Sequence, residues 1–430
     1  VPLDPDLASG ARAAARLCPS GPLVLALSGG GDSMALACLL ADEAARTGRP
    51  LHTLIVDHRL RPESASEAVL TARRAEALGA KAHILVWTSP ATGQAAARRA
   101  RHALLADAAR DLGANRLFLA HTADDVIETL LMRLSRKGAS WRSLAAMGAL
   151  SASPAWPEGR GIVLARPLVR VARSGLRQFL RQRGQRWVED RSNTNRAFER
   201  VRVRSGAPAP ASRTGRRLLA LNDAALAVDD RVRQLARLRI RAGAQILPWG
   251  AVRVDAAAFA GRLREVGMRA CEALMLAVGG DAALPGPDSV SALHDALLAG
   301  MPFSAAGVLL TRDGIIGRDP GAAAGRADGH GGVAELRVGP GDCAVFDGRM
   351  LICAGSEPLT VQPLRVQNRP VPEVPARLRP SLAVISGGGQ SVIAGLDTPP
   401  GDGAAGALIA ERLDGLLGVS AYGTAGENTV

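Results

Sequence analysis

Six consecutive residues, Ser28-Gly29-Gly30-Gly31-Asp32-Ser33, carry the first recognisable chemistry in this 430-residue chain. They end an apolar run, residues 23–27, and apolar residues then recur at the spacing of a buried helix, so the stretch reads as strand, glycine turn and helix. Glycines let the backbone turn without steric cost and bring amide groups close to a ligand, while the helix offers unpaired amides and the positive end of its dipole. An anion belongs there, most simply a phosphate. Neither common nucleotide fingerprint fits, because no lysine closes the loop as in a Walker motif and no G-x-G-x-x-G is present. A second centre is His121-Thr122-Ala123-Asp124-Asp125-Val126-Ile127-Glu128. Asp125 and Glu128 are three apart, on one face of the helix that starts there, and His121 stands just before it. Two carboxylates and an imidazole could bind magnesium, hold an ammonium group or shuttle a proton. Acidic residues also favour a helix N-terminus for its own sake, which is an equal explanation for Asp124 alone.

The elements that must hold these centres together alternate along the chain. Residues 34–45 continue the first helix, and residues 51–57 read as a second strand running into His58-Arg59-Leu60-Arg61-Pro62-Glu63-Ser64. Ser64 is placed to cap a helix over residues 65–78. A strand at residues 82–87, a basic helix at 95–112 and a strand at 116–120 then lead to His121. This alternation predicts an α/β fold with a doubly wound parallel sheet. In such sheets ligands sit beyond the carboxyl ends of strands, which is where Asp57 and His58 fall.

Charge adds a partner. Residues 151–250 hold 21 Arg and no Lys against 7 Asp plus Glu, a balance of +14, so the rest of the chain sums to −1 of the total +13. Scarce lysine throughout explains Arg over Lys, but not the clustering. Basic clusters attract phosphate backbones, so nucleic acid is the expected partner, with a solvated helix face as the plain alternative. No stretch approaches the roughly 18 apolar residues of a membrane span, and the first thirty residues lack the pattern of a secretory signal, so the expected location is cytoplasmic. Cys18, Cys38, Cys271, Cys343 and Cys353 form no C-x-x-C pair, and the expectation is small buried hydrophobes rather than a zinc site or disulfides.

The glycine loop resembles the Ser-Gly-Gly-x-Asp-Ser loop of the PP-loop ATP pyrophosphatases. The resemblance narrows with Val-Asp-His-x-Leu-Arg-x-x-Ser at residues 56–64, with Ala97-Arg98 and Arg101, and with Ala-His-x-x-Asp-Asp-x-x-Glu-Thr at residues 120–129. Arg166-Pro167-Leu168, the stretch Trp187-Val188-Glu189-Asp190-Arg191-Ser192-Asn193, and Phe198, Arg200 and Arg204 extend it. Over residues 20–205 the chain is similar to the bacterial tRNA(Ile)-lysidine synthase family. The resemblance implies that ATP adenylates the 2-carbonyl oxygen of the wobble cytidine in the isoleucine tRNA with CAU anticodon. The ε-amine of free L-lysine then displaces AMP. It also implies ATP binding by Ser28, Gly29, Gly30, Gly31, Asp32, Ser33, Asp57, His58, Arg98 and Arg101, with Asp32 helping to hold Mg2+. Asp125 and Glu128 would meet the lysine amine with His121 beside them, and Arg200 or Arg204 would face the α-phosphate, the choice between them being open. A homodimer is left open as well.

The family pattern is not followed everywhere. Arg200-Val201 stands where Arg-Asn is usual, Arg136-Lys137-Gly138-Ala139 replaces an Arg-Gly-Ser-Gly loop, and His102 occupies a place usually aromatic. A thiolase would need paired cysteines and a glutamine-using ligase a second nucleophile, and neither is visible; a nonenzymatic RNA-binding protein with a degenerate loop is the alternative from another class. Beyond a Gly/Pro-rich linker at residues 206–215, an amphipathic basic helix at 216–241 opens the rest. The expected domains are a catalytic one at 1–205, a mostly helical, tRNA-binding middle one at 216–325 and a small β-rich one at 333–430. Ser386-Gly387-Gly388-Gly389-Gln390-Ser391 nearly repeats the first loop but lacks the aspartate and the long helix, and reads as a hairpin turn.

Overall fold

The computed structural model describes residues 5–59, 62–88, 94–136, 140–189, 199–280, 284–325, 332–364, 371–397, 399 and 403–419. Leu60-Arg61, Lys137 to Ala139 and Asp190 to Phe198 of the motifs above lie outside them. Contacts divide the chain into two compact units, Val1–Arg231 and Val232–Gly418.

In the first unit the order is α1 (Pro5–Leu17), β1 (Leu23–Ala26), α2 (Gly31–Thr47), β2 (Leu51–Asp57), α3 (Ser64–Glu76), β3 (Lys81–Val86), α4 (Gln94–Asp111) and β4 (Arg116–Phe118). There follow α5 (Ala123–Leu134), α6 (Trp141–Leu144), β5 (Leu150–Ala152), β6 (Val163–Ala165), α7 (Arg173–Gln182) and α8 (Glu199–Gly206). The sheet order is β3-β2-β1-β4-β6-β5, parallel throughout except for β5 against β6. Strand β1 is apolar on both faces because both are covered. Leu23 and Leu25 pack with α2, α3 and α7 residues such as Leu36, Ala72 and Phe179, while Val24 faces Leu105 and Ala109 of α4 on the other side. Chain order reverses direction between β1 and β4, so the loops leaving these two strands open the crevice where such sheets bind ligands. Those loops are the glycine turn and the His121 segment.

Helix α9 (Arg213–Gly243) follows a non-helical stretch, residues 207–212, and carries the boundary between the units. The second unit mixes sheet with helix. A five-stranded sheet runs β7-β8-β11-β10-β9, with β7 Ala244–Leu247, β8 Ala251–Val254, β9 Phe303–Ala305, β10 Val308–Leu310 and β11 Ile315–Arg318. Its core is filled by α11 (Arg264–Gly279, after the single turn α10, Ala256–Phe259) and by α12 (Pro287–Leu298). Past residue 332, short strands form a four-stranded and a three-stranded antiparallel sheet. The expected decoy hairpin is there: strands Ala383–Gly387 and Gln390–Ile393 pair antiparallel through Gly388 and Gly389, both at positive φ as a tight type I′ turn needs.

Two sequence expectations are corrected. Ser64 is the first residue of α3 rather than its cap, which is Glu63; its hydroxyl donates instead to Asp57 Oδ1 at 2.5 Å. Cys18, Cys38 and Cys271 are buried and free, but Cys343 and Cys353 are joined by a disulfide because the hairpin register sets them directly opposite. No helix among the described residues is long and apolar enough to cross a membrane.

Candidate active site

The glycine turn has the form its sequence calls for. Gly29 has φ +80°, and a Cβ there would lie 2.4 Å from Thr71 Oγ1, so both backbone and space demand glycine. Gly30 caps α2, whose first residue is Gly31. Ser33 Oγ donates to Gly30 O at 2.9 Å and lies 3.1 Å from Ser28 Oγ, so the two hydroxyls face one another across the turn. Val188 N donates to Gly29 O at 2.9 Å, which fastens the Trp187-Val188-Glu189 stretch to the loop.

At the end of β4, Thr122 caps α5. Its hydroxyl accepts from Asp125 N, while Asp125 Oδ2 accepts from Thr122 N and Thr122 Oγ1, both at 2.8 Å. This capping box fixes the rotamer of Asp125, so its other oxygen, with Glu128 one turn on, faces the crevice. Asp125 and Glu128 are both buried, at 6% and 1% exposure. Arginines meet them there. Asp125 Oδ1 accepts from Arg173 Nη2 at 2.8 Å and Arg200 Nη2 at 2.7 Å. Glu128 accepts from Arg173 Nη1 at 3.2 Å, Arg200 Nε at 2.9 Å, and Arg204 Nε and Nη2 at 2.8 and 3.3 Å. Burial works against both carboxylates, but these cations outweigh it and hold the two pKa values below the ordinary range.

Arg173 is the residue the sequence reading did not single out. It opens α7, its backbone N–H donates to Asp124 Oδ2 at 2.8 Å, and its Nε donates to Asp32 Oδ2 at 2.9 Å. One guanidinium thus joins the phosphate loop to the acid pair. Its proton is held more firmly than usual, since Asp125, Asp32 and Glu128 together overcome the cost of burial. Asp32 itself is raised, because burial outweighs Arg173.

A second set of cations meets no counter-charge among the described residues. Arg98 and Arg101 are lowered by desolvation and by neighbouring arginines, Arg200 acting on both, and no carboxylate offsets this. Arg166, at 9% exposure, donates to Gly148 O and Ser151 Oγ and is pushed down to about 10 by burial and Arg98. Around these lie neutral imidazoles. His121 is driven to about 3 by burial and Arg166, and its Nδ1 has no hydrogen-bond partner among the described residues. His58 is likewise lowered, by burial and Arg101, and its Nδ1 is also unpartnered. Asp57 is held low by the Ser64 hydroxyl and the Arg59 amide.

Known proteins resemble this chain in sequence. Residues 10–207 match the PP-loop domain family. Over its length the chain is 37% identical to the tRNA(Ile)-lysidine synthase of Caulobacter vibrioides, with 86% of each chain covered. The chain belongs to the tRNA(Ile)-lysidine synthase family. Other members match over the catalytic unit: that of Hyphomonas neptunium is 50% identical over 43% of this chain and 50% of its own, and that of Ruegeria pomeroyi 45% identical over 46% of each. Among solved structures, the U34-tRNA thiolase NcsA from Methanococcus maripaludis aligns with a TM-score of 0.43 and 12% identity, covering 52% of this chain and 78% of that one.

The geometry joins Asp32, Asp125 and Glu128 through Arg173 and sets Arg200 and Arg204 on the same acids, while Arg98, Arg101, His58 and His121 lie about a cationic region that no carboxylate meets among the described residues. Arg200 and Arg204 both lie on Glu128, so contact geometry does not separate them.

Proposed function

We infer that this chain joins L-lysine to the wobble cytidine of the isoleucine tRNA with CAU anticodon, using ATP and releasing AMP and pyrophosphate. The single observation that carries this reading is the reach of one side chain. Arg173 touches both the glycine-loop aspartate and the two helix carboxylates, so a nucleotide's phosphates and a cationic amine would bind within one guanidinium of each other. Family membership over most of the chain supports the same reaction.

The residues suit the two steps. In the first, the cytidine 2-carbonyl oxygen attacks the α-phosphorus and the bond to pyrophosphate breaks; backbone amides of residues 29–33 and the Ser28 and Ser33 hydroxyls cradle the leaving phosphates. Arg98 and Arg101, which no carboxylate meets among the described residues, are suited to the charge that builds there. In the second, the lysine ε-nitrogen attacks C2 of the base as the free amine, its ammonium proton having passed to water; the bond from C2 to the AMP oxygen breaks, and the proton shed on bonding leaves with AMP or to water. Of the three chemistries open to the acid pair, holding an ammonium fits best, since carboxylates with lowered pKa are poor proton acceptors.

Among the described residues no group of three His, Cys, Asp or Glu side chains could enclose an ion. Mg2+ is commonly bound by one or two carboxylates plus substrate phosphates, so the single carboxylate of Asp32 beside a phosphate loop fits. When bound, the ion would neutralise phosphate charge. A tRNA substrate supports a cytoplasmic location. With purified chain, sustained pyrophosphate release is expected only when ATP, lysine and the cognate tRNA are all present; release supported by ammonia or a sulfur donor in place of lysine would overturn the reading.

A further inference from the structure

The acid pair has no free acceptor site. Asp125 receives two hydrogen bonds from Thr122 and one each from Arg173 and Arg200. Glu128 receives four, all from Arg173, Arg200 and Arg204. An ionised carboxylate offers about four lone-pair sites, so both are saturated. Charge is balanced as well, since three carboxylates, Asp32, Asp125 and Glu128, face three guanidiniums. An alkylammonium brings three donors and one positive charge. It can enter only if a guanidinium leaves.

The three arginines are not equivalent. Arg173 is 14% exposed, begins α7, is tied by its own backbone to Asp124, and spans from Asp32 to Glu128. Removing its side chain would break three contacts, on α2 and α5. Arg200 and Arg204 stand one turn apart on the short helix α8, and their side chains are 40% and 34% exposed. Arg200 also lies close enough to Arg98 and Arg101 to act on their charge, so it stands between the saturated acids and cations that meet no anion among the described residues.

We propose that Arg173 is the permanent counter-ion and positioning residue of the acid pair, whereas Arg200 and Arg204 are exchangeable, closing the amine site until the phosphates of ATP draw them away toward Arg98 and Arg101. The inference rests on the reading above that Asp125 and Glu128 receive the lysine ammonium. It makes binding ordered, nucleotide first and amine second. A guanidinium leaves a buried carboxylate only as a phosphate replaces one partner and an ammonium the other, so no charge is left unpaired in the interior. By linkage, lysine strengthens nucleotide binding by the same factor.

The test is calorimetric titration of the full chain with L-lysine, without tRNA, in the presence and absence of saturating α,β-methylene-ATP and Mg2+. Lysine affinity is expected to rise about tenfold or more with the analogue, within the usual range of coupling between sites. Arg204→Gln should bind lysine more tightly than the parent when nucleotide is absent, shrinking that ratio. Arg173→Gln should weaken lysine binding in both states. Equal lysine affinity with and without the analogue in the parent protein overturns the exchange, and so does an Arg204→Gln chain that binds free lysine no better. Should either variant fail to fold, the parent titration decides alone. If lysine affinity ignores the analogue while pyrophosphate release still requires lysine and tRNA, only the exchange has failed. If lysine binds in neither state and another amine supports release, the functional reading has failed with it.

Discussion

His102 is 4% exposed, and neither ring nitrogen has a hydrogen-bond partner among the described residues. Burial, with help from Arg101 and Arg98, brings it down to about 4. Between the unfolded value near 6.5 and that folded value, only the unfolded chain takes up the proton, so stability falls as pH is lowered through the window. At pH 5 this one side chain costs about 2 kcal/mol relative to neutral pH. His102→Phe, which restores an aromatic ring without titrating, should recover about that amount at pH 5 and far less at pH 7. Urea unfolding of both proteins at the two pH values checks it, and an identical difference at each would show that His102 is protonated when folded. His121 and His58 add slope of the same sign, since both are lowered by burial.

At the scale of elements, α5 is set by its first turn. Thr122 and Asp125 exchange bonds across the capping box, and the same Asp125 faces the crevice. Thr122→Ala removes the cap acceptor and one of four donors to a buried carboxylate. A loss of about 1 kcal/mol in stability is expected from the cap. The larger effect should fall on the site: apparent KM for lysine rises several-fold while that for ATP changes little, because the glycine turn is built on β1 and α2. Steady-state kinetics with each substrate varied in turn would show it, and equal shifts in both KM values would mean that the box serves the whole crevice.

For the whole molecule, the concentration of charge in residues 151–250 is the feature that reaches beyond the pocket. Arg213, Arg216, Arg217 and Arg231 of α9 are exposed in the first unit, as are Arg181 and Arg186 at and just beyond the end of α7. If such arginines neutralise roughly six phosphates, tRNA affinity falls on the order of 10³-fold between about 50 and 200 mM salt. A filter-binding series against salt gives the slope, and replacing Arg213, Arg216 and Arg217 by Gln should flatten it by roughly two to three units. A slope unchanged by that triple substitution would place the tRNA elsewhere.

The parts legible in the sequence are those built from neighbours along the chain. Strand, glycine turn and helix at residues 23–40 depend on local apolar spacing and on Gly29 adopting positive φ, and the pairing of Asp125 with Glu128 depends only on helical period. Tertiary structure decided what meets across distance. Arg173 stands 141 positions from Asp32 and 48 from Asp125, and only the adjacency of β1 and β4 with the packing of α7 brings them together. Nothing in its own surroundings distinguishes it from Arg170 or Arg177. The disulfide had the same cause, since strand register, not cysteine spacing, put Cys343 opposite Cys353. So did the fate of Ser64, a good capping residue whose hydroxyl found the Asp57 carboxylate at the end of β2 instead. Short-range geometry is encoded by residue type and period, whereas an ion pair is chosen among many equivalent arginines by which of them the fold brings within reach and out of water.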